Sequence, residues 1–286
     1  MISIIIINYR QKEFTIKCVR SVFASITGCP FEVIVVNNSP EEDLKALEVE
    51  FPAVKIITNE NKGFSHANNR GAVLAKGEYL FFLNADTIVR KDFTEDFLKT
   101  FEEKKFGAAG LKLYNSDGTF QLSFGKRIDF FGEISNKKDE EKFRKRDKEF
   151  MNSVEKKYSE TTEVDWVTGA AMIVRKECFE KVGGFDESFF LYYEDAELCK
   201  RLTDEGLPNY FFPHSDIVHY KGENTNEDFS SSGYLHAKRS QLNYYRMHCS
   251  SFQNSLLKFY LKLKFSLKYL SSFDKSYLKI LSAINE

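Results

Sequence analysis

Two acidic positions stand where a carboxylate can do chemistry. Asp86 follows the apolar run Tyr79-Leu80-Phe81-Phe82-Leu83 by way of Asn84-Ala85, which puts its carboxylate at the tip of a buried strand. Hard divalent cations such as Mg2+ and Mn2+ take oxygen ligands and commonly use one or two carboxylates together with substrate phosphates. An Asp at such a point is equally an ordinary turn former. Glu194-Asp195 comes after the aromatic stretch Phe189-Phe190-Leu191-Tyr192-Tyr193 and opens a helical segment over 196–205. Acidic residues in a first helical turn are favoured by the macrodipole, so capping alone accounts for them. The aromatics also dehydrate the pair, and a desolvated carboxylate is more basic, suited to take a proton from a substrate hydroxyl.

These positions need a rigid frame, and the first half of the chain supplies one. Residues 2–7, 32–36, 54–58 and 79–83 read as buried strands, separated by helical patterns over 11–25, 41–50 and 65–75. Strict alternation implies right-handed crossovers and a parallel sheet covered on both faces. Ligands of such sheets sit beyond the carboxyl ends of the strands. There stand Asn8-Tyr9, Asn37-Asn38-Ser39, residues 59–63 and Asn84-Ala85-Asp86. Four polar tips on one edge fit either turn chemistry or one shared ligand. Further on, 164–174 reads as a strand, 210–212 and 217–218 as two short ones, and 136–160 as a charged insertion, either a solvated helix or a mobile loop.

Composition removes several function classes. The 41 basic and 42 acidic residues nearly cancel, so no global field recruits nucleic acid. The five cysteines show no Cys-x-x-Cys spacing, and buried reduced thiols are expected. No Gly-x-Gly-x-x-Gly and no Gly-x4-Gly-Lys-Ser/Thr occurs, which argues against a dinucleotide dehydrogenase and a phosphate-loop NTPase and leaves phosphate binding to a metal. With no signal peptide and no apolar run of about 20 residues, a cytoplasmic protein is expected.

In order along the chain occur Ile4-Ile5-Ile6-Ile7-Asn8-Tyr9, Val35-Val36-Asn37-Asn38-Ser39, Asn61-Lys62-Gly63-Phe64, Asn69-Arg70-Gly71, Leu83-Asn84-Ala85-Asp86-Thr87, Gly169-Ala170-Ala171 and Tyr193-Glu194-Asp195. This series resembles the family 2 glycosyltransferases of GT-A fold, in particular their bacterial rhamnosyltransferase-like branch, over roughly residues 1–220. The resemblance implies an α/β GT-A catalytic domain over 1–225, with a mostly parallel central sheet flanked by helices, followed by a helical extension over 226–286.

It further implies an inverting, metal-dependent transfer of a sugar from a UDP- or dTDP-linked donor to a glycan or lipid-linked acceptor hydroxyl in surface polysaccharide, lipopolysaccharide or capsule synthesis. Asp86 matches the last Asp of the family's Asp-x-Asp, with Asn84 in place of the first, and binds Mg2+ or Mn2+. Asp195 matches the catalytic base and Glu194 the acidic residue before it. Donor contacts fall on Asn8, Tyr9, Asn37, Asn38, Asn61, Gly63, Asn68, Asn84, Asp86, Trp166, Gly169 and Ala170, with Asn37 reading the base where the family has Asp. Asp117-Gly118 with Gln121 and Ser123 resembles an acceptor-side loop. His219 matches a His that approaches the metal or diphosphate, and it is equally a satisfied core histidine; Lys221-Gly222-Glu223-Asn224-Thr225 departs from the small residues expected after it. The rival classes are a sugar nucleotidyltransferase, which wants a Gly-rich basic N-terminal loop absent from Asn8-Tyr9-Arg10-Gln11, and a non-catalytic glycan- or nucleotide-binding module.

In the tail, Leu256, Tyr260, Leu263, Leu267 and Leu270 recur at helical spacing, and Lys258, Lys262, Lys264 and Lys268 lie off that stripe. A helix of this kind lies on anionic lipid at the inner membrane face, or packs on the catalytic domain or on a second subunit as a homodimer. Leu261 and Phe265 interrupt its basic side.

Overall fold

The computed structural model describes residues 1–145, 147–220 and 232–285. The expected alternation forms: β1 (Ile2–Asn8), α1 (Lys12–Ser25), β2 (Phe31–Asn37), α2 (Lys45–Glu50), β3 (Val54–Thr58), α3 (Phe64–Leu74) and β4 (Tyr79–Asn84). Their strands lie in the order β3-β2-β1-β4, all parallel, with Ile4 opposite Val33 on one side and Phe81 on the other. Successive side chains of a strand point to opposite faces. Ile4 and Ile6 therefore join the core under α1, while Ile5 joins the second core with Ala67 of α3. The second helix begins at Lys45 and not at 41, because the carbonyl and carboxylate of Glu42 are held by Asn37 and Asn8 at the strand tips.

Beyond β4 come β5 (Thr87–Lys91), α4 (Thr94–Phe101), β6 (Ala108–Tyr114), β7 (Phe120–Gln121), β8 (Phe124–Gly125), α5 (Phe130–Arg144), α6 (Lys148–Lys157), β9 (Thr162–Val164), β10 (Trp166–Val167), β11 (Ala171–Arg175), α7 (Lys176–Lys181), α8 (Glu194–Asp204) and β12 (Asn209–His219). The sheet continues β4-β11-β6-β12-β5. Along this path, among the described residues, only β11 and β5 run against the other six strands. A mostly parallel sheet between helices is thus present, with antiparallel members the alternation did not announce.

Two sequence expectations need correction, and a third is decided between its alternatives. Residues 164–174 are not one strand: the backbone turns at 168–170, where Gly169 N binds Asp195 and the Ala170 carbonyl accepts from Asn84 N, leaving β10 to pair with β8. Residues 210–212 and 217–218 belong to a single strand whose register shifts between Phe212 and Ile217. The 136–160 insertion is helical as α5 and α6, because Phe143 packs on both Phe120 and Phe150 beneath its charged faces.

The tail forms α9 (Ser232–His248), α10 (Ser251–Ser272) and α11 (Ser276–Asn285); the expected boundary at 225/226 lies outside the described residues. Tyr245, Leu257, Leu261, Phe265 and Ile284 share one core with Ile128, Phe189 and Ala196 of the sheet domain. At its centre is Glu133 of α5, buried at 8% exposure. Its carboxylate accepts from Tyr193 Oη, from Tyr245 Oη (2.9 Å) and from Gln241 Nε2 (2.9 and 2.7 Å). Removing it strands three buried donors, each costing on the order of 1–3 kcal/mol. Glu133→Ala is therefore expected to lower unfolding free energy by roughly 3 kcal/mol, read by chemical denaturation, and a change within measurement error would show that the carboxylate is not buried in solution.

Candidate active site

The corner between β4 and β5 carries Asp86, 9% exposed, at the point where the chain leaves one strand for another with different neighbours. His219, at the end of β12, brings its Nε2 to 3.3 Å from Asp86 Oδ1 and 3.4 Å from Asn84 Nδ2. Its orientation is fixed from behind, where Nδ1 lies 2.7 Å from Gln121 Oε1 and Gln121 Nε2 donates to Asn115 Oδ1 at 2.8 Å. With the Gln121 amide set by Asn115, its oxygen faces the ring, so Nδ1 carries the proton and Nε2 presents a lone pair toward Asp86. A lone pair and a carboxylate oxygen facing each other favour a cation between them.

A second ring atom anchored by a hydrogen bond is the usual outer support of a metal-ligating His. Among the described residues no group of three His, Cys, Asp or Glu side chains could hold a metal. Two protein donors suit Mg2+ or Mn2+, which keep waters and substrate phosphates as their other ligands. Gln121 is thus the support of His219, and Ser123 is buried with its hydroxyl on the Leu111 carbonyl, so both side chains are engaged within the protein.

Asp195 is tied to the same edge of the sheet through the backbone. Asn84 N donates to the Ala170 carbonyl at 2.9 Å, and the neighbouring Gly169 N donates to Asp195 Oδ2 at 3.1 Å. Burial pushes the Asp195 carboxyl above the ordinary aspartate range, against hydrogen bonds from Gly169, Ala196 and Thr168 that favour its charged form. Glu194 is 5% exposed, and burial followed by the Asp195 charge raises it well above the glutamate range. Its Oε2 has no hydrogen-bond partner among the described residues. Two adjacent carboxyls, both raised by burial and one with an oxygen unpartnered among the described residues, give a group able to hold a hydroxyl and a group able to accept a proton.

The pair is delivered by a strained lead-in. Tyr192 and Tyr193 both sit at positive φ, 68° and 71°, a region that side chains with a Cβ seldom adopt. The tail and α5 hold them there: Ser240 Oγ donates to the Leu191 carbonyl (2.9 Å), Asn243 Nδ2 to Ser188 Oγ (2.8 Å), and Glu133 of α5 accepts from Tyr193 Oη. On the other side Gly63, at φ 102°, lets Phe64 N reach the Phe190 carbonyl at 2.8 Å, where a Cβ would lie 2.4 Å from that oxygen. Nothing in the charged segment around Glu133 marked it in the sequence.

The asparagines at the strand tips mainly bind one another. Asn8 Nδ2 donates to Asn37 Oδ1 (2.9 Å) and Glu42 Oε2 (2.8 Å), and its own oxygen accepts from Thr15 Oγ1 (2.7 Å). Asn37 also accepts from Ser39 N and donates to the Glu42 carbonyl, so its amide is engaged in the protein and does not stand open to a base. Asn59 Nδ2 donates to Asn38 Oδ1 (2.8 Å), and Asn61 Oδ1 accepts from Asn38 Nδ2 (3.4 Å) and Gly63 N (3.2 Å). Asn68 is buried and bonds back to the Phe64 carbonyl within α3, and Trp166 gives its indole N–H to the Lys126 carbonyl. Tyr9 is 39% exposed at this edge, with Arg10 over its ring.

The model of the family described as glycosyl transferase family 2 matches residues 3–183, and that of the N-terminal domain of galactosyltransferase matches 149–223. Rhamnosyltransferase WbbL of Escherichia coli (strain K12) is 27% identical over 250 residues, 83% of this chain and 90% of that protein. N-acetylglucosaminyl-diphospho-decaprenol L-rhamnosyltransferase of Mycobacterium tuberculosis (strain CDC 1551 / Oshkosh) is 35% identical over 79 residues, 28% of this chain and 26% of that one. The fold superposes on GalNAc-T7, crystallised with UDP, GalNAc and Mn2+, at a TM-score of 0.65 and 16% identity, covering 100% of this chain and 54% of that chain. The likeness is to the GT-A fold, and the chain spans about half the length of that neighbour. By its match over most of the sheet domain, the chain belongs to glycosyl transferase family 2 and is a glycosyltransferase.

Proposed function

We propose that this glycosyltransferase is metal-dependent and inverting, and that it moves a hexosyl-type sugar from a uridine or thymidine diphosphate donor to an acceptor hydroxyl on a glycan or lipid-linked glycan of bacterial surface polysaccharide. The observation that carries this reading is the continuity of one sheet edge: Asp86 and His219 at 3.3 Å, then Asn84 on Ala170, then Gly169 on Asp195. The names of the rhamnosyltransferases above, one of which includes a polyprenyl diphosphate-linked acceptor, support the acceptor class.

Asp86 and His219 are the residues that would hold the Mg2+ or Mn2+ ion. Bound there, the ion supplies positive charge against the departing nucleotide diphosphate. Gln121 keeps the His219 lone pair aimed at the site. Asp195 accepts the proton of the acceptor hydroxyl while that oxygen bonds the anomeric carbon and the carbon–oxygen bond to the diphosphate breaks. The attack comes from the face opposite the leaving group, so configuration inverts and no covalent sugar–enzyme bond forms. Glu194, whose carboxyl is raised well above the ordinary glutamate range by burial and then by the Asp195 charge, holds a donor-sugar hydroxyl.

A general base contributes about 10²–10⁴-fold. Asp195→Asn is expected to keep nucleotide binding and to lower kcat by that factor, and loss of donor binding with kcat unchanged would make Asp195 a donor ligand. Because burial raises Asp195, the wild-type kcat is expected to fall with decreasing pH at a point above the ordinary aspartate value of about 3.9.

Asp86→Ala is expected to abolish Mn2+-dependent binding of the nucleotide diphosphate, measured by calorimetry, while the thermal melt stays within about 2 °C of wild type. Donor hydrolysis that ignores Mn2+ in both proteins would remove the metal from the reading. The same measurement separates this reading from a nucleotidyltransferase or a binding module, neither of which hydrolyses the sugar donor.

Titration with UDP, dTDP, GDP and ADP is expected to favour the two pyrimidine nucleotides. Tighter binding of either purine nucleotide would overturn the donor class and leave the transfer chemistry standing.

A further inference from the structure

The long helix of the tail has two apolar faces, and the protein uses one. Leu257, Leu261 and Phe265 are buried at 1%, 1% and 0% exposure in the core shared with the sheet domain. Leu261 and Phe265 are the residues that interrupt the basic side in the sequence, so what looked like an irregularity belongs to the packing face. The opposite side remains outside: Phe252 is 75% exposed, Phe259 67%, Leu263 52%, Leu267 58% and Leu270 63%. At about 100° per residue these five fall within an arc of roughly 80° that runs for about 27 Å. Monomeric proteins seldom leave an apolar surface of that extent open unless it binds something.

The charge around the stripe selects the occupant. Lys262 and Lys264 lie about 100° to either side of Leu263, with Lys258 and Lys268 further round. The 22 residues of α10 include no Asp or Glu, in a chain whose charges otherwise balance. None of the four lysines forms an ion pair among the described residues. Lys264 is depressed by burial and then by Lys137 and Lys268, as expected of cations crowded without a counter-charge. A second copy docking isologously on this stripe would bring its own rows of lysine against these, like charge on like. A lipid surface presents the reverse, apolar chains beneath a layer of anionic headgroups, and lysine stems reach from one to the other.

We propose that the outward face of α10 seats the enzyme on an anionic bilayer, with Phe252, Phe259, Leu263, Leu267 and Leu270 entering the headgroup boundary and the flanking lysines against lipid phosphates. Among the described residues no helix is long and apolar enough to cross a membrane, so this contact is peripheral. It stands apart from the donor and metal assignments, and its test uses no turnover.

The experiment is flotation of the full chain with vesicles of phosphatidylcholine alone or with one-third phosphatidylglycerol, alongside Leu263→Ser/Leu267→Ser and Lys262→Gln/Lys264→Gln variants. Circular dichroism and gel filtration report the fold and oligomeric state of each. Wild type is expected to float with the anionic vesicles and about tenfold less with neutral ones. The leucine variant should lose flotation, and the lysine variant should lose its preference for anionic lipid, both with unchanged dichroism. The proposal fails if wild type stays at the bottom of both gradients, if the leucine variant floats as well as wild type, or if wild type is a dimer that the leucine variant converts to monomer. Should the leucine variant unfold, the lysine variant alone decides: undiminished preference for anionic lipid overturns the proposal.

Discussion

The entry of β11 into the sheet antiparallel to β4 is the constraint on which the site depends. A fifth strand added parallel would have carried its own polar turn to the same edge but sent residues 168–170 to the opposite end. Running against β4, β11 starts where β4 finishes, and the Asn84–Ala170 backbone bond closes that junction. Asp86 and Asp195, which we propose to hold the cation and to accept the proton, are then linked through the adjacent peptides of Gly169 and Ala170.

The rim around that junction is a hydrogen-bonded solid. Asn8, Asn37, Asn38, Asn59 and Asn61 use their amides, which both donate and accept, to tie the ends of β1, β2 and β3 together. A carboxylate at Asn37 would still accept from Asn8 and Ser39 but could not donate to the Glu42 carbonyl, so the amide suits the neighbours it has. Of the two readings open to the polar tips, these bonds are turn chemistry.

How much of this was legible follows from the range of the interactions. The first four strands and Asp86 could be read because a buried strand announces itself by an unbroken apolar run and its tip by the polar residue after it. The Glu194-Asp195 pair could be read because the aromatics that dehydrate it are its sequence neighbours. The partnership of Gln121 with His219 spans 98 residues, and that of Glu133 with Gln241 spans 108. No periodicity encodes contacts of that separation, and Glu133 sits in a segment whose abundance of charge hides one buried member. On α10 the pattern held two apolar stripes, and only tertiary packing decides which of them turns inward.

The grip of α9 on residues 188–193 also bears on how such enzymes can be recombined. The lead-in to Glu194 and Asp195 is held in a left-handed conformation by groups from α5 and α9 and not by its own sequence. The lead-in and the tail are therefore coupled through these contacts. A chimera spliced between β12 and α9 would pair one parent's lead-in with the other's clamp, and Tyr192 and Tyr193 would relax to the extended or helical wells they prefer. A foreign tail placed on this chain is expected to keep the lead-in geometry only when residues 188–195 and the helix bearing Glu133 come with it.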